Sequence, residues 1–361
     1  MRFLFLSSYA HLALDPATDR VSGGAELQVA LLGRELARRG HDVVIVGADD
    51  GKHSGGTYDG VRTRPGGRFH TGGAWDTFRA LPRVHRIIRE ERPDYVCILG
   101  WTAWLGLLLL VKKRTRLVYI CGSDAEVDGS YRRANRLRGT LFERGLRKAD
   151  QRFAMSQHQR ELLQRVGLGS AIYRNLLLPR KEPRSVPKDL DFLWVSRCVA
   201  LKRPHLFLDL AEALPSSRCA IIIPPEDQQL WITVRDRAGR LPNVEFHERV
   251  PYREVQRYFD RAEVFVNTSE FEGFPNSFIQ TGQGGGTILS LEVDPDGLLT
   301  GYGAGRCAEG DWETFLEDAR ELIANSELRG ALQRRCEQFV GEWHDNERNV
   351  TAFLDGLPKP R

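Results

Sequence analysis

The sequence predicts an α/β protein built as two doubly wound, mostly parallel sheets. Three observations predict it. The chain has 361 residues, enough for two domains at about 150 residues each. Short apolar runs alternate with amphipathic helical stretches almost throughout, the pattern of a parallel sheet covered on both faces. That alternation pauses once, at 178–188, where three prolines and many charges fall within eleven residues, and then resumes.

In the first half, Arg2–Leu6, Asp42–Gly47, Tyr95–Leu99, Arg116–Cys121 and Arg152–Ala154 read as strands. Gly24–Arg39, Asp76–Glu91, Trp101–Lys113, Tyr131–Lys148 and Gln157–Val166 read as helices. In the second half the strands are Phe192–Val195, Cys219–Ile223, Val244–Phe246, Val264–Asn267 and Thr287–Leu291. Helices lie between them at Pro204–Leu214, Asp227–Gly239, Tyr252–Arg261 and Ser277–Gln283, and the tail from Asp311 to Leu357 is helical. The expected domains are 1–180, 189–340 and a C-terminal helical segment 341–361 that packs back on the first. Ligands of such folds bind beyond the carboxyl ends of the strands, so the expected site is a cleft between the two domains.

Composition narrows the class. With 41% hydrophobic and 28% charged residues the chain is globular, which excludes disordered, collagen-like and coiled-coil readings. A net charge of +4 gives no reason to expect nucleic acid. Six cysteines without a C-x-x-C pair imply free thiols in a reducing compartment, hence a cytoplasmic protein. The apolar run Ile98–Val111 falls short of the ~20 residues a spanning helix needs. Met1–Leu6 lacks a signal-peptide cleavage pattern and reads as a first buried strand.

Three motifs carry chemistry. Ser22-Gly23-Gly24-Ala25-Glu26 precedes a long helix. Paired glycines there let backbone N–H groups approach an anion, or the segment is a flexible loop with Ser22 as the cap. It is not a dinucleotide fingerprint, which should follow its strand at once. The second motif, Ser196-Arg197-Cys198-Val199-Ala200-Leu201-Lys202, leaves a strand and enters a helix. Two cations near a helix start suit a diphosphate, and a solvated basic turn is the plain alternative. The third runs Asn267-Thr268-Ser269-Glu270-Phe271-Glu272-Gly273-Phe274-Pro275-Asn276-Ser277 with Gln280 two turns on. The backbone amides from Phe274 to Ser277 suit a phosphate, Glu272 suits sugar hydroxyls, and Asn276 or Ser277 is the expected cap. The alternative is an acid that complements the helix dipole.

Together, the order and spacing of these motifs, with Ala154-Met155-Ser156-Gln157 after a strand, resemble the family 4 retaining glycosyltransferases of the GT-B fold. The resemblance runs over nearly the whole chain and leans toward bacterial exopolysaccharide and lipid-linked glycan members. It implies that Arg197 and Lys202 hold a donor diphosphate and that Glu272 contacts the donor sugar. It also implies that Gly273, Phe274, Pro275, Asn276 and Ser277 hold sugar and phosphate oxygens, and that Gly23 and Gly24 belong to a loop over the same site. No metal and no cofactor besides the nucleotide diphosphate sugar is implied. The expected acceptor is a glycan or a lipid-linked molecule.

This sequence departs from the family pattern twice. The family's second acid is Gln280 here, and an amide still bonds a ribose hydroxyl. The first-domain histidine found in many members is absent from Cys121-Gly122-Ser123-Asp124 and the residues after it. Asp124 is the candidate to orient sugar or acceptor in its place, or else it caps the loop. Two rival classes stay open: a non-catalytic homologue that binds nucleotide sugar or glycan, and an epimerase or hydrolase.

Other signals carry less. Asp294-Pro295-Asp296-Gly297 reads as a turn rather than a metal–nucleotide D-x-D, and Gly301-Tyr302-Gly303-Ala304-Gly305 as a loop. Between Tyr131 and Arg152, eight basic residues (Arg132, Arg133, Arg136, Arg138, Arg144, Arg147, Lys148, Arg152) face two acids. A solvated helix face is the default. Attraction to an anionic membrane, at about 1 kcal/mol per basic residue, would suit a lipid-linked acceptor and a place at the cytoplasmic face.

Overall fold

The structure, a computed structural model, describes residues 1–15, 23–48, 55–67, 74–100, 102–112, 114–180, 184 and 186–361. Ser22, parts of 51–74 and parts of the 178–188 linker lie outside the described residues. The chain forms two compact units, Met1–Leu178 with Asn346–Arg361, and Pro179–Asp345.

The first unit contains, in order, β1 (Arg2–Leu6), α1 (Ala10–Leu14), α2 (Gly24–Arg38), β2 (Asp42–Gly47), β3 (Gly56–Tyr58), β4 (Val61–Pro65), α3 (Ala74–Glu91), β5 (Tyr95–Leu99), α4 (Trp104–Val111), β6 (Arg116–Ile120), α5 (Ser130–Ala134), α6 (Arg136–Lys148), β7 (Gln151–Ala154), α7 (Gln157–Arg165) and β8 (Ala171–Ile172). Its eight-stranded sheet has the order β3-β4-β2-β1-β5-β6-β7-β8. Only the β3–β4 pair is antiparallel, joined by a tight turn with Asp59 and Gly60 both at positive φ (50° and 80°). The inner strands are buried along nearly their whole length, which is why they read as continuous apolar runs.

One expectation changes here. The single helix expected over Tyr131–Lys148 is two. Asn135 is extended (φ −146°, ψ 94°), and its side chain accepts from the Arg138 N–H, capping α6 instead of continuing α5. Gly106 of α4 and Gly145 of α6 let these helices touch main chain to main chain, since a Cβ on either would strike the other's backbone. The close packing turns the charged face of α6 outward, with Arg136, Arg138, Arg144, Arg147 and Lys148 exposed.

The second unit contains β9 (Leu190–Val195), α8 (Pro204–Ala213), β10 (Cys219–Ile222), α9 (Gln228–Ala238), β11 (Val244–His247), α10 (Tyr252–Arg261), β12 (Ala262–Asn267), α11 (Asn276–Gln283), β13 (Thr287–Ser290), β14 (Gly305–Cys307), α12 (Trp312–Ala324) and α13 (Ser326–Trp343). Its six strands are all parallel, in the order β11-β10-β9-β12-β13-β14. Gly305, expected in a loop, opens β14. Aspartate and asparagine caps at Asp227, Asp311 and Asn325 start α9, α12 and α13.

The chain then returns to the first unit as α14 (Asn346–Asp355). There the Phe353 ring lies 4.8 Å from Phe153 and 5.7 Å from Tyr173, and Arg39 holds Glu347 at 2.8 Å. Trp343 ends α13, and its ring stays in the second unit against Tyr302 and Phe339. All six cysteines are free. No helix among the described residues is long and apolar enough to cross a membrane.

Candidate active site

In an open parallel sheet, ligands sit where the strand order reverses, because the loops leaving two adjacent strands diverge there. In the second unit that point lies between β9 and β12, which pair directly. The two loops leaving it are Ser196–Arg203 and Thr268–Pro275, the segments that carry the second and third sequence motifs.

Buried hydrogen bonds lace these loops together. Thr268 is fully buried; its hydroxyl donates to the Lys202 carbonyl (2.7 Å) and accepts from the Trp194 indole N–H (3.0 Å). The Arg203 Nε donates to the Thr268 carbonyl (2.6 Å), and the Glu270 N–H donates to the Leu201 carbonyl (3.1 Å). Arg203 also pairs with Glu292 (2.9 Å), beyond β13. This lacing brings the Lys202 ammonium onto the Glu272 carboxylate, which the Ser269 hydroxyl also meets at 2.9 Å. The Asn267 side chain accepts from the Ser269 N–H (2.8 Å) and bends the chain as it leaves β12.

Arg197 does not join Lys202; it is half exposed and lies on Glu226 at 2.9 Å, on the loop before α9. Phe274 turns inward, 6% exposed, with its ring 5.0 Å from His344, so it can offer a ligand only its backbone. Pro275 takes the N-cap position of α11 with no side-chain cap, so Asn276 and Ser277 lie inside the helix rather than capping it. An uncapped helix start favours an anion. Gln280, one turn below Asn276, is buried at 9% exposure.

In the first unit the strand order reverses between β1 and β5. Gly23 holds the N-cap position of α2. A Cβ on Gly23 would strike the Glu26 carboxylate, which therefore folds back over the helix start. The loop leaving β6 is organised from beneath by Glu126, a residue the sequence did not single out. Its carboxyl accepts from the Tyr119 hydroxyl and from the Gly122 N–H (2.8 Å), and the Ser123 hydroxyl lies at 3.4 Å. Burial pushes this carboxyl up to about 7. A Cβ on Gly122 would meet Glu126 at 2.9 Å and the Gly100 backbone, just past β5, at 3.1 Å. Asp124 opens the short 3₁₀ turn Asp124–Glu126, and its carboxylate stands 3.8 Å from Nε2 of His158 on α7. The loops leaving the adjacent strands β6 and β7 thus bring an acid and a histidine together.

Asp294 receives the N–H groups of Leu299 (2.7 Å) and Thr300 (3.1 Å), which makes 294–297 a turn. Among the described residues no three His, Cys, Asp or Glu side chains cluster as a metal site would require.

Two doubly wound, mostly parallel units, each with one strand-order reversal, define the GT-B fold class. Residues 23–180, less than half of the chain, match the family described as glycosyl transferase 4-like domain. Sucrose-phosphate synthase from Thermosynechococcus elongatus superposes with a TM-score of 0.81 at 16% identity, over 98% of this chain and 97% of that one. Trehalose-6-phosphate synthase OtsA gives 0.76 at 12% identity over 100% of both chains. A mutant of TarM from S. aureus, solved with fondaparinux, α-GlcNAc-glycerol and UDP, gives 0.65 at 13% identity over 78% of this chain and 59% of that one. No curated protein matches the chain by sequence.

Proposed function

We propose that this chain is a retaining glycosyltransferase that moves a sugar from a nucleotide diphosphate sugar onto a glycan or lipid-linked acceptor, in cell-surface or exopolysaccharide synthesis and without a metal. The observation that carries the reading is the Lys202–Glu272 pair, held by laced loops at the strand-order reversal of the second unit beside the uncapped start of α11.

Such a site suits a sugar diphosphate at both ends. Lys202 and the α11 amides meet the charge that builds on the departing diphosphate, a preorganised electrostatic stabilisation. Arg197 joins them once the phosphate draws it from Glu226. Glu272 and Ser269 fix the sugar hydroxyls, and Gln280 bonds the ribose. With the leaving phosphate helping to deprotonate the acceptor, no side chain has to act as a strong base. Asp124, beside His158, orients the acceptor. Gly23 and Gly24 remain donor-binding candidates on the resemblance alone. The exposed basic residues of α5 and α6 provide a peripheral contact with an anionic membrane surface.

The test is a thermal-shift screen of nucleotide diphosphate sugars, followed by turnover with the one that binds. Arg197→Ala and Lys202→Ala should each lower turnover by about 10²–10³, the usual cost of losing one charge-stabilising donor. Unchanged turnover and donor affinity in both variants would overturn the site.

A further inference from the structure

The amides at the start of α11 are useful to a phosphate only if the helix points them at it. α11 has eight residues, about 12 Å at 1.5 Å per residue. Two anchor points, one at each end, define the axis of so short a helix.

The front anchor is apolar. Phe274, on the loop that enters the helix, is buried with its ring 5.0 Å from His344 and 6.4 Å from Phe339. The rear anchor is made of hydrogen bonds. The Arg180 guanidinium forks onto the carboxylate of Asp260 on α10, at 2.7 and 2.9 Å. One of the same nitrogens also donates to the carbonyl of Gln283, the last residue of α11 (3.2 Å). Gln256 of α10 donates to the Gln280 carbonyl (3.0 Å) and to Asp260 (3.2 Å). Lys188 donates to the Gly284 carbonyl just beyond the helix (3.1 Å). Cations are favoured there, because the carbonyls of a closing turn carry the negative end of the helix dipole.

This clasp is not needed to end the helix. The Gly284 N–H already does that by donating to the Gln280 carbonyl (2.9 Å). What Arg180 adds is a bridge between two helices, with Asp260 on α10 and the Gln283 carbonyl on α11 held by one planar group. Lysine, a single point charge, does not reproduce that fork.

We propose that Arg180 is a positioning residue for the diphosphate site. It fixes the rear of α11 against α10 and so, with the front held by Phe274, aims the free amides of the helix start at the phosphate. Arg180 acts through α11, from the end opposite the ligand. Its value to a sugar-nucleotide reaction rests on the transferase reading; its aiming of α11 at an anion does not.

The experiment titrates the full chain with inorganic pyrophosphate, UDP and GDP by calorimetry, beside the nucleotide-sugar screen. Two variants test the clasp. Arg180→Lys keeps a cation beside Asp260 without the fork, and R180Q/D260N removes both charges together, so no lone buried carboxylate remains. Arg261→Gln, which breaks a separate cluster with Asp189 (2.8 Å) and Glu245 (3.1 Å) in the same unit, controls for lost stability alone. Thermal melts fix a temperature at which every variant is folded. Pyrophosphate affinity should fall about tenfold in R180Q/D260N, the worth of roughly one hydrogen bond to the ligand. It should fall less in Arg180→Lys and stay at the wild-type value in Arg261→Gln, although that protein melts earlier. Unchanged affinity in both Arg180 variants would overturn the proposal, as would an equal loss in Arg261→Gln. Pyrophosphate binding that Lys202→Ala leaves untouched lies elsewhere and would overturn it too. Pyrophosphate binding that responds as expected, with no nucleotide sugar bound, removes the transferase reading and leaves the positioning role. Nucleotide sugars bound equally by wild type and both Arg180 variants do the reverse. A wild type that binds none of these probes would overturn both.

Discussion

The ligand-facing loops of the two units are built in different ways. In the second unit, side chains cross from loop to loop: Thr268 to Lys202, Arg203 to Thr268, Lys202 to Glu272. In the first, one buried carboxyl, Glu126, gathers Tyr119 and Gly122 from below and shapes the loop that carries Asp124. The first arrangement spreads the constraint over several cross-loop hydrogen bonds and an ion pair. The second places the whole constraint on a single ionisable group. One should be insensitive to pH and fragile to the loss of a hydroxyl; the other should tolerate an amide and respond to pH.

The largest effect expected from breaking the contrast is Thr268→Val. The shape is kept and the hydroxyl lost, which leaves the Trp194 indole N–H and the Lys202 carbonyl without their partner. Each stranded buried group costs about 1–3 kcal/mol. Urea unfolding should show that loss at every pH, together with weaker donor binding as the Lys202 loop slackens. A stable Thr268→Val protein with normal donor affinity would mean that the lacing does not position Lys202.

Next in size is Glu126→Gln. The carboxyl titrates at about 7 in the folded chain against an ordinary 4.5, so folding favours its protonated form. Its contribution to stability is complete below pH 4.5 and is lost as pH rises through 7. At about 1.4 kcal/mol per unit, the swing is on the order of 3 kcal/mol. The amide of the Glu126→Gln variant cannot ionise and can still accept from Tyr119 and Gly122. Wild type should therefore lose stability relative to the variant between about pH 5 and pH 8, measured by urea titration at both. A difference that does not change with pH would sink the assignment.

The contrast also explains what could be read in the sequence. Lys202 and Glu272 were visible because each falls in a short polar segment between an apolar run and a helical one, where a charge has no packing role to fill. Glu126 was not, because its partners are joined to it only when the 3₁₀ turn folds the carboxyl back over seven residues onto Tyr119. His158 was missed for a related reason: it meets Asp124 only because β6 and β7 are neighbours in the sheet. Arg197 was identified, but its resting partner Glu226 comes from the loop after β10 and leaves no trace in the spacing. In the fold itself, β3 and β4 are too short and too polar to show alternation, although Asp59-Gly60 is a strong hairpin-turn signal. Asn135 hid inside an unbroken run of helix formers.

The smallest effect separates the two jobs of Arg203. Its φ of 46° is left-handed, at the residue just before α8, and a side chain there costs roughly 1–2 kcal/mol that glycine avoids. Against this, its guanidinium ties the Thr268 carbonyl to Glu292. Arg203→Ala keeps the backbone cost and loses the ties, whereas Arg203→Gly loses the ties and relieves the backbone. If the backbone term holds, Arg203→Gly should be more stable than Arg203→Ala by about 1 kcal/mol, read as a shift in the urea midpoint at constant slope. Donor affinity should fall equally in both, because aiming Lys202 depends on the tie to Thr268 and not on φ. Equal stability of the two variants would remove the backbone term. Undiminished donor affinity in both would mean that the Arg203 tie does not aim Lys202, and that the Thr268 hydroxyl and the Glu270–Leu201 bond hold the loops without it.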